Sequence, residues 1–277
     1  MTGEVNQGWM ESQGLKIFYR SWQPEEVKAV LILVHGAGDH SGRYLHVGEF
    51  FSQKGLAVLA PDLRGQGDSE GVRGHVGDFE EYLQDVSHMI EAARKQYPEV
   101  PVFLLGHSMG GTIGALYGIT RPGKVQGILL SSPCMGLVMK INPVKKLVGK
   151  LVGKVVPKLT VPDGIDPSWV SRSPEVVAAY ATDNVRCGRV TASWYNAFEA
   201  AWLKALAQAR DFKYPCLILQ AGDDRLVEKE KSELFYQQIS SKDKTFRFCE
   251  GCYHEIMNEP EKEKVLQDMW NWIMERI

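Results

Sequence analysis

The chain has 277 residues, 44% of them hydrophobic, and a formal net charge of −2. That length is enough for one large α/β domain or two small ones. Nothing in the charge balance points to nucleic acid. No run of 18 apolar residues occurs, so no membrane-spanning helix is expected, and Met1 to Gly14 lacks the apolar core of a signal peptide. The five cysteines fit a reducing compartment better than a disulfide framework, and the expected location is cytoplasmic. Cys249 and Cys252 form one C-x-x-C. A zinc site would need a second pair or two spaced histidines, so these read as two ordinary thiols.

Leu15 to Trp22 alternates and reads as an early edge strand. Ala29 to Val34 is a continuous apolar run, the mark of a strand covered on both faces. It leads into His35-Gly36-Ala37-Gly38-Asp39-His40-Ser41-Gly42-Arg43-Tyr44. Open α/β sheets bind their ligands in such loops, beyond the carboxyl ends of strands. Tyr44 to Lys54 reads as a helix, Ala57 to Ala60 as a buried strand, and Asp62 to Ser69 as a polar turn whose charges brace the neighbouring loops. Asp78-Phe79-Glu80-Glu81 resembles a capping box ahead of a helix that ends near Tyr97-Pro98.

Val102 to Leu105 is the next apolar strand. It runs into Gly106-His107-Ser108-Met109-Gly110-Gly111, and Thr112 to Tyr117 follows as a helix. Gly106, Ser108 and Gly110 spell G-x-S-x-G in the strand–turn–helix context that this motif needs. The spacing has a steric reason. A serine at the tip of such a turn sits in a strained conformation, and the residues two before and two after it crowd the backbone. The hydroxyl is held clear of the sheet, and the following helix points its free N–H groups at developing negative charge. The backbone N–H groups of Ala37 and Met109 are the expected oxyanion donors.

Gly127 to Ser132 is another strand, so strands and helices alternate and a mostly parallel sheet is expected. The rhythm breaks between Pro133 and Tyr214 and resumes at Pro215 to Gln220. An insertion of that size reads as functional. The expected organisation is therefore a core of residues 1–132 and 215–277 with a cap at 133–214. Within the cap, Met139 to Leu159 places Val144, Leu147, Val148, Leu151, Val152 and Val155 at helical spacing, with six lysines among them. Such a stretch can lie on an anionic membrane surface, or pack its apolar side on the domain with its lysines in water. Both readings stand.

A serine hydroxyl needs a base, and the base an orienting carboxylate. On this kind of sheet the chain order is serine, acid, histidine. His254 is the only histidine after Ser108, which makes it the base. The acid is Asp223 or Asp224, both on the loop after the Gln220 strand. Spacing leaves the two open.

HGAGDHSGRY (35–44), GHSMGG (106–111), Asp224-Arg225-Leu226 and Tyr253-His254-Glu255 resemble the monoacylglycerol lipase and lysophospholipase branch of the α/β-hydrolases over nearly the whole chain. The resemblance implies that fold, with Ser108, Asp224 and His254 as catalytic residues and Ala37 and Met109 as the oxyanion hole. It selects Asp224 because the family's acid precedes Arg-Leu. Asp39 stands where the animal enzymes carry glutamate. Asp39 and Arg43 are implied to hold the glycerol end or to brace the loop, and Tyr180, in the cap, to reach the glycerol hydroxyls. The implied substrate is a lipid ester, and the chemistry needs no metal or organic cofactor. Rival readings are a lysophospholipase, a short-chain carboxylesterase, and a catalytically silent lipid carrier. The oligomeric state is not indicated.

Overall fold

A computed structural model describes residues 5–139, 153 and 155–277. In chain order the strands of its main sheet are β1 (Val5–Ser12), β2 (Leu15–Trp22), β3 (Ala29–Val34), β4 (Leu56–Pro61), β5 (Val102–His107) and β6 (Gly127–Ser131). Two short strands, β7 (Thr160–Pro162) and β8 (Arg189–Thr191), pair antiparallel outside it, and β9 (Cys216–Ala221) and β10 (Lys244–Cys249) complete it. The order across the eight strands is β1-β2-β4-β3-β5-β6-β9-β10. From β4 to β10 all neighbours are parallel.

The continuous apolar runs are β3, β4, β5, β6 and β9, and every residue of each is buried. Strand alternation sends Val30, Ile32 and Val34 into one apolar cluster and Leu31 and Leu33 into the other. The first face is covered by α2 (Glu80–Gln96) and α3 (Met109–Thr120). The second is covered by α1 (Leu45–Gln53) and, at the chain's end, the helix Lys262–Met274.

The edge is not where the alternation of Leu15 to Trp22 puts it. β2 lies second in the sheet, with β1 outside it. β1 reads Val-Asn-Gln-Gly-Trp-Met-Glu-Ser, too mixed to announce a strand. The available signal is the tight turn at Gln13-Gly14, whose φ angles of 52° and 77° suit a two-residue hairpin.

The capping box before α2 is present. Asp78 Oδ1 accepts the Glu80 N–H at 2.9 Å, and Glu81 Oε1 accepts the Asp78 N–H at 3.0 Å. The Asp62–Ser69 turn also braces its neighbours. Asp62 accepts the N–H groups of Ser41 (2.7 Å) and Asp68 (2.8 Å). Arg64 pairs with the fully buried Asp85 at 2.6 Å.

Between β6 and β9 the described chain adds no strand to the main sheet. Beyond β7, this stretch holds α4 (Pro174–Thr182), β8 and α5 (Ala192–Ala207). α5 is not a free-standing cover. Its Phe198, Ala201, Trp202 and Ala205 are buried in the same cluster as Val30 and Ile113. After β9 come α6 (Lys229–Gln238), β10 and α7, the helix Lys262–Met274. Most of the lysine-rich segment 139–159 lies outside the described residues.

Candidate active site

β5 passes into α3 through one residue, Ser108. Its φ of 54° and ψ of −114° lie outside the ordinary regions for an L-residue. The surroundings hold it there. Ser108 N–H donates to Ser131 O at 3.0 Å, and Ser108 O accepts from Cys134 N–H at 3.0 Å and from Thr112 N–H at 3.2 Å. The turn leaves no room for side chains beside it. A Cβ on Gly106 would lie 2.1 Å from Gly110 O, and one on Gly110 would lie 2.2 Å from Val34 O. The crowding is therefore with the following helix at one glycine and with the neighbouring strand at the other. Met109, the first residue of α3, is fully buried, and the opening N–H groups of a helix have no partner within it.

Loop 35–44 runs past the same point. A Cβ on Gly36 would lie 3.2 Å from Ser108 Cβ. Buried His35 fixes the loop's entry. Its Nε2 accepts the Leu63 N–H at 2.9 Å, so the proton sits on Nδ1, which donates to Gly36 O at 2.7 Å. Burial lowers the pKa of His35, which keeps it neutral in this role. With the Gly36 carbonyl held, the N–H of Ala37 on the same peptide plane points the opposite way.

His254 follows β10 on a loop tied down at several points. Glu259 accepts the Tyr253 N–H at 2.9 Å, and Glu255 N–H donates to Val170 O at 2.8 Å. His254 Nδ1 lies 2.8 Å from Asp224 Oδ2. Asp223 is exposed and makes no such contact, so geometry separates two acids that spacing leaves equal. Asp224 is held by four bonds. Oδ2 also accepts from Gln220 Nε2 at 3.1 Å, and Oδ1 accepts the N–H groups of Leu226 (2.9 Å) and Val227 (3.0 Å).

These contacts set the charges. Burial pushes the Asp224 carboxyl up, but His254 and the two backbone N–H groups outweigh it and hold the pKa below the ordinary value. Burial pushes His254 down, but Asp224, with help from Glu255 and Asp39, raises it above the ordinary value of 6.5. A second imidazole, His107, packs 4.9 Å from the His254 ring. Burial first, and His254 second, lower it to about 4. Its place between Gly106 and Ser108 is the one cue to it in the sequence.

Ser108, His254, Ala37, Asp39, His107 and Tyr180 all line one cavity of about 660 Å³. Its remaining wall is mostly apolar, with Leu137, Val190, Trp194, Tyr195, Phe198 and Leu226. That volume is within the range of small-molecule sites. Arg43 does not reach the wall. It donates to both oxygens of Glu255 (2.8 and 2.7 Å) and to Asp39 Oδ1 (3.2 Å). Tyr44 donates to the other Asp39 oxygen at 2.8 Å. Burial would raise the Asp39 carboxyl, yet Arg43 above all holds it at about 2. The Arg43 guanidinium lies 4.6 Å from the Tyr180 ring centre, and that of Arg186 lies 4.0 Å from it. Glu255, residue three of Tyr-His-Glu, is thus a polar wall residue and the clamp on Arg43. Elsewhere, Cys252, Glu259 and Glu261 bring ligand-type atoms within 4.8 Å of one another, but Arg172 pairs with both carboxylates.

Residues 25–261 match the family described as serine aminopeptidase, S33. The chain is 36% identical to the phospholipase YtpA of Bacillus subtilis, over 89% of this chain and 95% of that protein. It is also 36% identical to a monoacylglycerol lipase of Mycolicibacterium smegmatis, over 95% of each. The crystal structure of Paleococcus ferrophilus monoacylglycerol lipase superposes with a TM-score of 0.87 at 30% identity, covering 97% of this chain and 100% of that one. The chain therefore belongs to the serine aminopeptidase S33 family of α/β-hydrolases, in its monoacylglycerol lipase and lysophospholipase branch.

Proposed function

We propose that this protein hydrolyses lipid esters carrying a single acyl chain, with monoacylglycerol, split into fatty acid and glycerol, as the substrate. The observation that carries the reading is one apolar cavity lined by both Ser108, at a positive-φ turn, and His254, paired with Asp224. Ser108 attacks the ester carbonyl while His254 takes the hydroxyl proton. Asp224 holds the imidazole so that Nε2 faces the serine, and stabilises the imidazolium that forms. The N–H groups of Ala37 and Met109 hold the oxyanion, a donor of this kind being worth about 3 kcal/mol in kcat. His254 then protonates the leaving alcohol, and water repeats the attack on the acyl-enzyme. The apolar wall suits a fatty acyl chain. Asp39, Tyr180 and Glu255 form the polar end for the alcohol, with Arg43 bracing them from behind. Residues 133–214 act as the cap that encloses the chain.

The Bacillus relative is named a phospholipase, which keeps lysophospholipid as the second reading. Hydrolysis of monoolein beside lysophosphatidylcholine separates the two. Faster cleavage of monoolein is expected, and a monoolein rate no better than the phospholipid rate overturns the first reading.

The cavity rim supports contact with a membrane surface. Met139, Leu159 and Val161 line the cavity and are 49%, 49% and 46% exposed, and Val155, four residues before Leu159 in the chain, is 80% exposed. Apolar groups at a cavity mouth meet water at a cost that a lipid surface removes. The lysines of 139–159 add attraction to anionic lipid, about 1 kcal/mol each when well placed. Co-sedimentation with anionic vesicles is expected to weaken with salt and with Lys145, Lys146 and Lys150 changed to glutamine. Binding unchanged by those substitutions rules out docking through this stretch.

A further inference from the structure

A chain of three buried polar side chains joins the Ala37 loop to the wall of the cavity. Gln66 Oε1 accepts the Gly38 N–H at 2.7 Å. Gln66 Nε2 donates to the Tyr82 hydroxyl at 3.3 Å, and Trp194 Nε1 donates to the same oxygen at 3.0 Å. Gln66 is 1% exposed and Tyr82 0%, so water cannot replace either contact from bulk solvent.

The anchor is rigid. Gln66 N–H donates to Leu63 O at 2.9 Å, and Gln66 O accepts from Ser69 N–H at 3.1 Å, within the turn that Asp62 braces. Its effect on Ala37 follows from peptide planarity. His35 holds the plane before the Ala37 Cα through the Gly36 carbonyl. Gln66 holds the plane after it through the Gly38 N–H. The Ala37 N–H lies in the first plane, whose orientation His35 sets; by holding the second plane Gln66 anchors the Ala37 Cα between the two and keeps the first plane, with its N–H, from drifting. At the other end, Trp194 stands on α5, lines the cavity and packs 5.1 Å from Phe198.

We propose that Gln66 is a positioning residue that aims the Ala37 N–H at the oxyanion and, through Tyr82, keeps that aim in register with the acyl-binding wall at Trp194. This rests on the roles of Ser108 and Ala37 proposed above. A glutamine at a loop position with no reach to substrate thereby affects the transition state, because a small misplacement of a donor forfeits much of its effect.

The test compares wild type, Gln66→Leu, Gln66→Glu and Tyr82→Phe on p-nitrophenyl acetate and a long-chain p-nitrophenyl ester, with Ser108→Ala as the blank. Gln66→Leu is expected to lower kcat about 10-fold to 100-fold on both esters, with KM little changed. Gln66→Glu keeps an acceptor for the Gly38 N–H and is expected to recover most of that loss. Gln66→Leu is also expected to bind an alkyl trifluoromethyl ketone, which forms an oxyanion, more weakly, while the alcohol of equal chain length binds as before. Equal weakening of both, or a kcat within twofold of wild type, overturns the proposal. If Gln66→Leu does not fold, Tyr82→Phe decides. It is expected to lower kcat/KM for the long-chain ester several-fold more than for the acetate, and equal effects on the two overturn the proposal. A wild type without Ser108-dependent turnover would sink the reading of the site itself, whereas an active wild type matched by Gln66→Leu sinks only the role of Gln66.

Discussion

Ser108→Ala is expected to lower kcat on monoolein by about 10⁶-fold, the size of effect seen when a serine nucleophile is deleted from such a unit. The loss comes from the chemical step, not from the fold. Alanine keeps the Cβ and meets the same backbone at φ 54°, and the bonds that hold the turn are made by backbone N–H and C=O groups. The variant should therefore melt close to wild type. Any residual hydrolysis would come from binding and the oxyanion donors alone. A fluorophosphonate probe is expected to label wild type at Ser108 and to leave the variant unlabelled. Full monoolein turnover by Ser108→Ala would end the acyl-enzyme reading. Absence of label on an inactive wild type would favour a lipid carrier on this fold.

Asp224→Asn is expected to lower kcat by about 10⁴-fold, because the amide favours the wrong tautomer of the base. It should also change the pH profile in a stated direction. His254 must be neutral to accept the serine proton, so activity rises with pH through its pKa. Asp224 raises that pKa above the ordinary 6.5, so the acid limb of kcat/KM lies above 6.5 in wild type. Removing the carboxylate charge moves the limb to lower pH. His107, held at about 4, stays neutral across this range and adds no second limb.

Stability should follow the same two groups with opposite signs. The raised pKa of His254 gives stability that is fully present below 6.5 and is lost as pH rises through the folded value. The lowered pKa of Asp224 gives stability that is present above its ordinary 3.8 and is lost as pH falls through the folded value. A limb unmoved by Asp224→Asn would show that another group orients His254.

The legible features are local in origin. Five runs of apolar residues became strands buried at every position because a strand covered on both faces needs no polar alternation. The turn at Ser108 was legible because one serine between two glycines meets a steric demand that the tight turn itself imposes. The order of Ser108, an acid and His254 was legible because Ser108 and the acid each follow an apolar strand and His254 is the only histidine downstream of the serine.

Tertiary contacts decided the rest. Asp223 and Asp224 are chemically equal in the chain, and only the path of the loop brings Asp224 to 2.8 Å from His254. Arg43 and Glu255 are far apart in sequence yet share a bidentate ion pair. β1 is a strand because β2 offers it an edge, not because its residues ask for one. Gln66 looks like any polar turn residue until the fold sets Gly38 on one side of it and Tyr82 on the other. Periodicity and spacing record what a residue does to its own backbone, while hydrogen bonds between distant side chains exist only once the sheet has closed around them.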